Sequence, residues 1–162
     1  MTRIVQLKQS SAEWLAYRLT MRNASETARY RALARGPRPI SCGCSRLDAG
    51  SRQQAVTRAM QQGTHLEPAA RAAYEEQTGT IMQPLVLQAG AYSASLDCMT
   101  LEGELIVEIK CSVRGRDSAL WKEVQGGWVL DHYVAQVQHQ LTVSGAWRTS
   151  GCLTERRFCC VP

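Results

Sequence analysis

Asp97, Glu108 and Lys110 lie in the run SLDCMTLEGELIVEIKC, where an acid is followed after a ten-residue gap by Glu-x-Lys. Residues two apart on a strand share a face, so Glu108 and Lys110 project together while Val107, Ile109 and Cys111 project to the other side. Asp97 and Glu108 are equidistant from Glu102-Gly103, the natural tip of a hairpin, and symmetric pairing sets the two carboxylates opposite one another. Directly opposed side chains have Cβ atoms roughly 5 Å apart, where like charges repel. A divalent cation between them turns that repulsion into binding. Mg²⁺, with Mn²⁺ as the alternative, is a hard ion that takes carboxylate, carbonyl and water oxygens. In such a site it polarises a phosphodiester and makes water nucleophilic near neutral pH. Lys110 beside it would orient that water and offset charge developing on the phosphoryl oxygens. The alternative is a surface hairpin whose Glu and Lys are merely solvated, because D-x(10)-E-x-K is short and degenerate.

Three further blocks must position that hairpin. In EWLAYRLTMRNASE, Ser10 or Ser11 caps a short helix in which Trp14, Leu15 and Arg18 follow helical spacing. GTHLEPAARAAYEEQTG predicts a helix from about His65 to Thr78, closed by Gly79, with Leu66, Ala69, Ala70, Ala73 and Tyr74 as its apolar stripe. Thr64-x-x-Glu67 there reads as a capping box, with Pro68 marking the helix start. HYVAQVQHQLTVSG predicts another helix, with Asp131 as N-cap and Gly145 as its stop. Val134, Val137 and Leu141 form its core face, while Tyr133, Gln136 and Gln140 lie at i, i+3 and i+7 on a polar face. Gln138, His139 and Gln140 are read as solvated. Trp121, Trp128 and Gly126-Gly127 fall in the connection before this helix, with no role fixed by the sequence.

In this order the four blocks, spanning Glu13 to Gly145, resemble the YqaJ-type viral recombinases, the phage lambda-type alkaline exonucleases with a PD-(D/E)xK nuclease core. The resemblance implies an α/β fold with a central mixed sheet flanked by helices. It implies a phage or prophage recombination enzyme that hydrolyses one strand of duplex DNA from the 5′ end, using Mg²⁺. The metal would be held by Asp97, Glu108, the backbone carbonyl of Ile109 and Glu67, with Lys110 and Gln136 completing the catalytic set. Arg18 and Ser25 match the 5′-phosphate anchor, and an Arg fork suits a terminal phosphate dianion. The blander roles are a surface cation for Arg18, a helix cap for Ser25 and a capping-box acid for Glu67. Expected partners are double-stranded DNA ends, a single-strand annealing protein and two further copies in a ring-shaped homotrimer. Two positions depart from the family pattern: Cys98 stands where Gly is usual and Ser112 where Pro is usual. Gly permits backbone conformations that Cys disfavours, which puts the geometry at Asp97 in question.

A chain of 162 residues is expected to form one domain, residues 1–162. It has no apolar run long enough to cross a bilayer and no signal-peptide pattern, so no membrane partner is expected and the expected compartment is the cytoplasm. The net charge of +5 is uneven. Residues 29–50 and 147–162 hold eight Arg against Asp48 and Glu155, a net of +6, leaving −1 for the rest. The same two stretches carry five of the seven cysteines: Cys42, Cys44, Cys152, Cys159 and Cys160.

Neither stretch has hydrophobic periodicity, and both are read as frame-shifted. One coding choice for ISCGCSRLDAG, moved by a nucleotide, reads YQLWLLKTG, and WRTSGCLTERRFCCV treated likewise reads AHLWVFDGTQVLLC. On this reading the C-terminal strand region is missing or altered, leaving an exposed sheet edge. Two other functions compete with an active nuclease. One is a catalytically inactive remnant with at most weak DNA binding. The other is a zinc module on Cys42, Cys44, Cys159 and Cys160, whose C-x-C and C-C spacings do not match the usual pairs.

Overall fold

The computed structural model describes residues 1–27, 58–112 and 114–154. In chain order the elements are β1 (Thr2–Ile4), α1 (Ala12–Thr20), β2 (Arg22–Asn23), α2 (Arg58–Thr78), β3 (Met82–Ala89), β4 (Tyr92–Thr100), β5 (Leu105–Cys111), α3 (Ala119–Gln125), α4 (Asp131–Ser144) and β6 (Arg148–Thr154). Short 3₁₀ turns follow β2 at Ala24–Glu26 and precede α3 at Gly115–Asp117. The sheet runs β1-β3-β4-β5-β6, and β2 pairs with the start of β4. The β3–β4 and β4–β5 pairs are antiparallel while β5–β6 is parallel, so the sheet is mixed.

Two hydrophobic clusters show which helices cover the sheet. Leu87, Ala94, Leu96, Met99 and Ile106 pack with Val143 of α4 and with Ala146. Met82, Cys98, Val107 and Ile109 pack with Ala70 and Tyr74 of α2. Adjacent strand residues serve opposite clusters, as the two-residue period of a strand requires when both faces are buried. The sheet is thus sandwiched between α2 and α4.

The alternation breaks once, at the expected chemistry. Gln83 pairs with Met99 and Leu85 with Leu96, so Pro84 alone faces both Asp97 and Cys98. An extra residue in one strand is a β-bulge, and Pro suits the facing position because it has no N–H to give the ladder. The carbonyls at the bulge find side-chain donors, as backbone acceptors withdrawn from water must. Gln9 Nε2 donates to Leu96 O at 2.9 Å, and Arg71 donates to Asp97 O at 3.1 Å.

The hairpin tip is at Glu102-Gly103, as the spacing predicts: Gly103, with φ of 76°, donates its N–H to Thr100 O at 3.0 Å. Ser11, not Ser10, caps α1, accepting from Trp14 N–H at 3.2 Å. Gly145 closes α4 in the left-handed conformation.

Several expectations need correction. Helix α2 begins at Arg58, so Pro68 is interior and Thr64-x-x-Glu67 is no capping box. In its stripe Ala70 and Tyr74 are buried, Leu66 and Ala73 half-buried, and Ala69 exposed. Leu130, not Asp131, is the N-cap of α4, and Val134 is exposed while Ala135, Gln140 and Val143 are buried. Of the two outcomes expected for the C-terminal strand, missing or altered, only the first is overturned: β6 pairs with β5 from Leu105↔Arg148 through Cys111↔Thr154, and its sequence RTSGCLT is polar. A parallel strand needs only its backbone to join the ladder, and seven residues suffice. The first anomalous stretch, residues 29–50, lies outside the described residues, as do Cys42, Cys44, Cys159 and Cys160.

Candidate functional site

The bulge decides how Asp97 is held. The β4–β5 ladder comprises Met99↔Ile106 and Cys98↔Val107. Asp97 is next in line, and its carboxylate Oδ2 accepts the N–H of Ile109 at 2.9 Å. The acid therefore caps the end of the ladder on β5. Burial raises the Asp97 carboxyl well above the usual carboxylate range, and the negative charges of Glu108 and Glu67 add to this while Lys110 opposes it. Cys98 does not distort the backbone. Among the described residues only Ser10 is a non-glycine with positive φ, so position 98 asks for nothing that glycine alone provides. The Cys98 thiol is fully buried among Ala70, Tyr74 and Val107, and burial pushes its pKa up to about 12. It is an apolar filler here.

Glu108 is the centre of the arrangement. Though 8% exposed, its carboxylate receives three side-chain donors. Lys110 Nζ and Gln136 Nε2 donate to Oε1, the latter at 2.5 Å, and Gln140 Nε2 donates to Oε2 at 2.6 Å. A buried carboxylate requires this kind of compensation. Burial disfavours the Lys110 ammonium, yet the charges of Glu108 and Asp97 outweigh it and hold its pKa above the ordinary value. The ammonium also lies 5.1 Å from the centroid of the Tyr133 ring, a cation–π distance.

Glu67 faces this site from α2. Its carboxyl is raised by burial, then lowered by Lys110 and raised by Glu108, so it shares their field. Among the described residues no three His, Cys, Asp or Glu side chains are grouped to hold a metal ion. The donor chemistry nonetheless fits a hard divalent cation. Asp97 and Glu108 offer carboxylate oxygens, and Glu67 adds a third acid whose field reaches both. The oxygens are now engaged by protein donors, so a cation would exchange places with some of them.

Arg18 and Ser25 also meet: the guanidinium donates to Ser25 Oγ at 2.8 Å and lies 4.5 Å from the Trp14 ring centroid. Ser25 sits in the 3₁₀ turn rather than at an α-helix cap. Thr27, just after that turn, pairs with His139 Nδ1 at 2.9 Å, while His139 Nε2 reaches Ser93 O at 3.1 Å. His139 thus ties the Arg18–Ser25 segment to α4. It is not solvated as expected, and neither is Gln140. Gln136 and Gln140 are i and i+4 on one face, so a single carboxylate from β5 takes both amides. Of the tryptophans, Trp121 is buried and Trp128 is 76% exposed.

Burial holds the His139 pKa below its ordinary value. The unfolded chain then binds the proton more tightly. Stability from neutral His139 is therefore present above about pH 6.5 and is lost as pH falls through the lower folded value. Urea unfolding at pH 7.5 and pH 5.5 is expected to give a stability drop that is smaller in His139→Gln. An equal drop in both proteins would remove His139 as its source.

A model of the YqaJ-like viral recombinase domain matches residues 13–147. Among solved structures the chain resembles an alkaline exonuclease (LHK-Exo) from Laribacter hongkongensis, at 26% identity and a TM-score of 0.69, covering 93% of this chain and 80% of that one. LHK-Exo in complex with dAMP matches at 25% identity and a TM-score of 0.68, covering 90% and 74%. A phage-related exonuclease from Haemophilus somnus 129PT shares the fold at 15% identity and a TM-score of 0.55, covering 82% and 68%. No curated protein matches the chain. No helix among the described residues is long and apolar enough to cross a membrane. A match that takes in the bulged hairpin, α2 and α4 together spans most of the sequence, and the chain belongs to the YqaJ-like viral recombinase domain family.

Proposed function

We propose that this chain is a divalent-metal-dependent deoxyribonuclease of phage-type recombination, acting as an exonuclease from the 5′ ends of duplex DNA. The observation that carries the reading is the convergence of Lys110 and Gln136 on Glu108, beside an Asp97 fixed by the bulge. The family and the exonuclease neighbours support it. Asp97, Glu108, the Ile109 carbonyl and Glu67 would hold Mg²⁺ or Mn²⁺. Such an ion supplies Lewis-acid polarisation of the phosphodiester and lowers the pKa of water. The chain's residues do the rest. Lys110, kept protonated by its two acid neighbours, offsets charge growing on the phosphoryl oxygens. Gln136 sits one hydrogen bond from Glu108 and orients the carboxylate or water beside it. Arg18 and Ser25 would hold the 5′ phosphate. On family resemblance we extend the proposal to a ring-shaped homotrimer around the duplex and to a single-strand annealing partner.

The test is digestion of linear and circular duplex in Mg²⁺, in Mn²⁺ and in EDTA, with and without a 5′ phosphate. Linear DNA bearing a 5′ phosphate should be degraded in either metal and spared in EDTA, with circular DNA intact. A chain that leaves every substrate whole would instead be the inactive remnant. Cleavage of the circle would make it an endonuclease, because one hydrolytic core serves both. Sequencing the gene tests the frame-shift reading of 29–50 and 147–162: codons that do not yield the alternative strings in another frame end it.

A further inference from the structure

Gln140 is fully buried, at 1% exposure, and its amide is spent on one neighbour, Glu108 Oε2 at 2.6 Å. Its own carbonyl Oε1 is buried with no donor among the described residues. A glutamine placed only for packing is an expensive choice at such a position, since leucine or methionine would leave no amide oxygen unsatisfied. One turn earlier on α4, Gln136 takes Glu108 Oε1. The two amides therefore fork onto the two oxygens of a single carboxylate and fix its plane. Lys110 shares Oε1 with Gln136, so Oε1 lies on the side that carries the chemistry, and Oε2 is the oxygen held from inside the protein. An ionised carboxylate can only accept, which also fixes the amide orientation: turned over, Oε1 of Gln140 would face Oε2 of Glu108.

We propose that Gln140 is a positioning residue for Glu108, holding Oε2 from within so that Oε1 is presented to Lys110, Gln136 and an incoming divalent cation. The inference rests on the metal-dependent reading above. Fixing a ligand from behind raises metal affinity because the carboxylate does not have to be ordered when the ion arrives.

The test measures Mn²⁺ binding by calorimetry, apart from any DNA cleavage, in the wild type, Gln140→Met, Gln140→Asn and Glu108→Gln, with melting curves for each. Gln140→Met fills the same volume without a donor, and Gln140→Asn keeps the amide but shortens its reach. Both are expected to bind Mn²⁺ about tenfold or more weakly, approaching Glu108→Gln, with Gln140→Met melting close to wild type. Should Gln140→Met fail to fold, Gln140→Asn carries the comparison. Wild-type affinity in a folded variant overturns the inference and leaves the nuclease reading standing. Weakened binding in a chain that cuts no DNA supports the inference while the nuclease reading falls. A wild type that takes up no Mn²⁺ overturns both.

Discussion

Asp97→Asn is expected to slow metal-dependent DNA hydrolysis by about a thousandfold or more and yet to melt at or above the wild-type temperature. The two effects share a cause. Asp97 is a half-buried acid whose carboxyl is raised by burial and by the charges of Glu108 and Glu67, so its ionised form strains the fold. Asn removes the charge, while its Oδ1 can still accept the Ile109 N–H that caps the ladder. The stabilisation should appear as a rise of about 2–4 °C for each kcal/mol relieved. Lys110→Ala carries the opposite sign. It loses activity on a similar scale, but it also takes the cation away from Glu108 and Asp97 and should melt lower. Initial rates on linear duplex and thermal melts of both variants check the pair. An Asp97→Asn chain that cuts DNA at an undiminished rate would sink the assignment, as would a Lys110→Ala chain that does.

What was legible in the sequence follows from how local each signal is. The hairpin tip could be read because Gly103 is needed where φ is positive, and the two-residue period then named both faces of β5. The bulge could not. It depends on Pro84 from β3 meeting Asp97–Cys98, a pairing that no local period reports. Helix α2 begins seven residues before the expected start at His65, where Thr64, Glu67 and Pro68 together imitate an N-terminus. The upstream turns that make Pro68 interior have weak apolar periodicity, so tertiary context overrode the local signal. Gln140 hides its role for a related reason. A polar residue on a helix is exposed by default, and only the buried carboxylate arriving from β5 reverses that. The polar composition of β6 argues against a strand, yet a strand at the sheet edge is held through its backbone ladder to β5. Elements with repeating patterns were readable, and residues that answer a partner far away in sequence were not.

Arg18→Ala is expected to erase the preference for phosphorylated 5′ ends. The guanidinium is held from two sides, by Ser25 Oγ at 2.8 Å and by the Trp14 ring at 4.5 Å from its centroid, so its planar fork is pre-organised. Hydrogen bonds to a charged partner contribute about 1.5–3 kcal/mol. Losing them should therefore lower the rate on 5′-phosphate ends by about 10- to 150-fold and leave 5′-hydroxyl ends nearly unaffected. Arg18→Lys should recover only part of this, because a point charge cannot make the bidentate contact. Ser25→Ala should cost less than either, since it removes a support of the fork and one neutral hydroxyl. Rates on matched 5′-phosphate and 5′-hydroxyl duplexes, each with a melting curve, separate anchoring from folding. If Arg18→Ala keeps the full preference, Arg18 is a cation stacked on Trp14 and the 5′ end is held elsewhere.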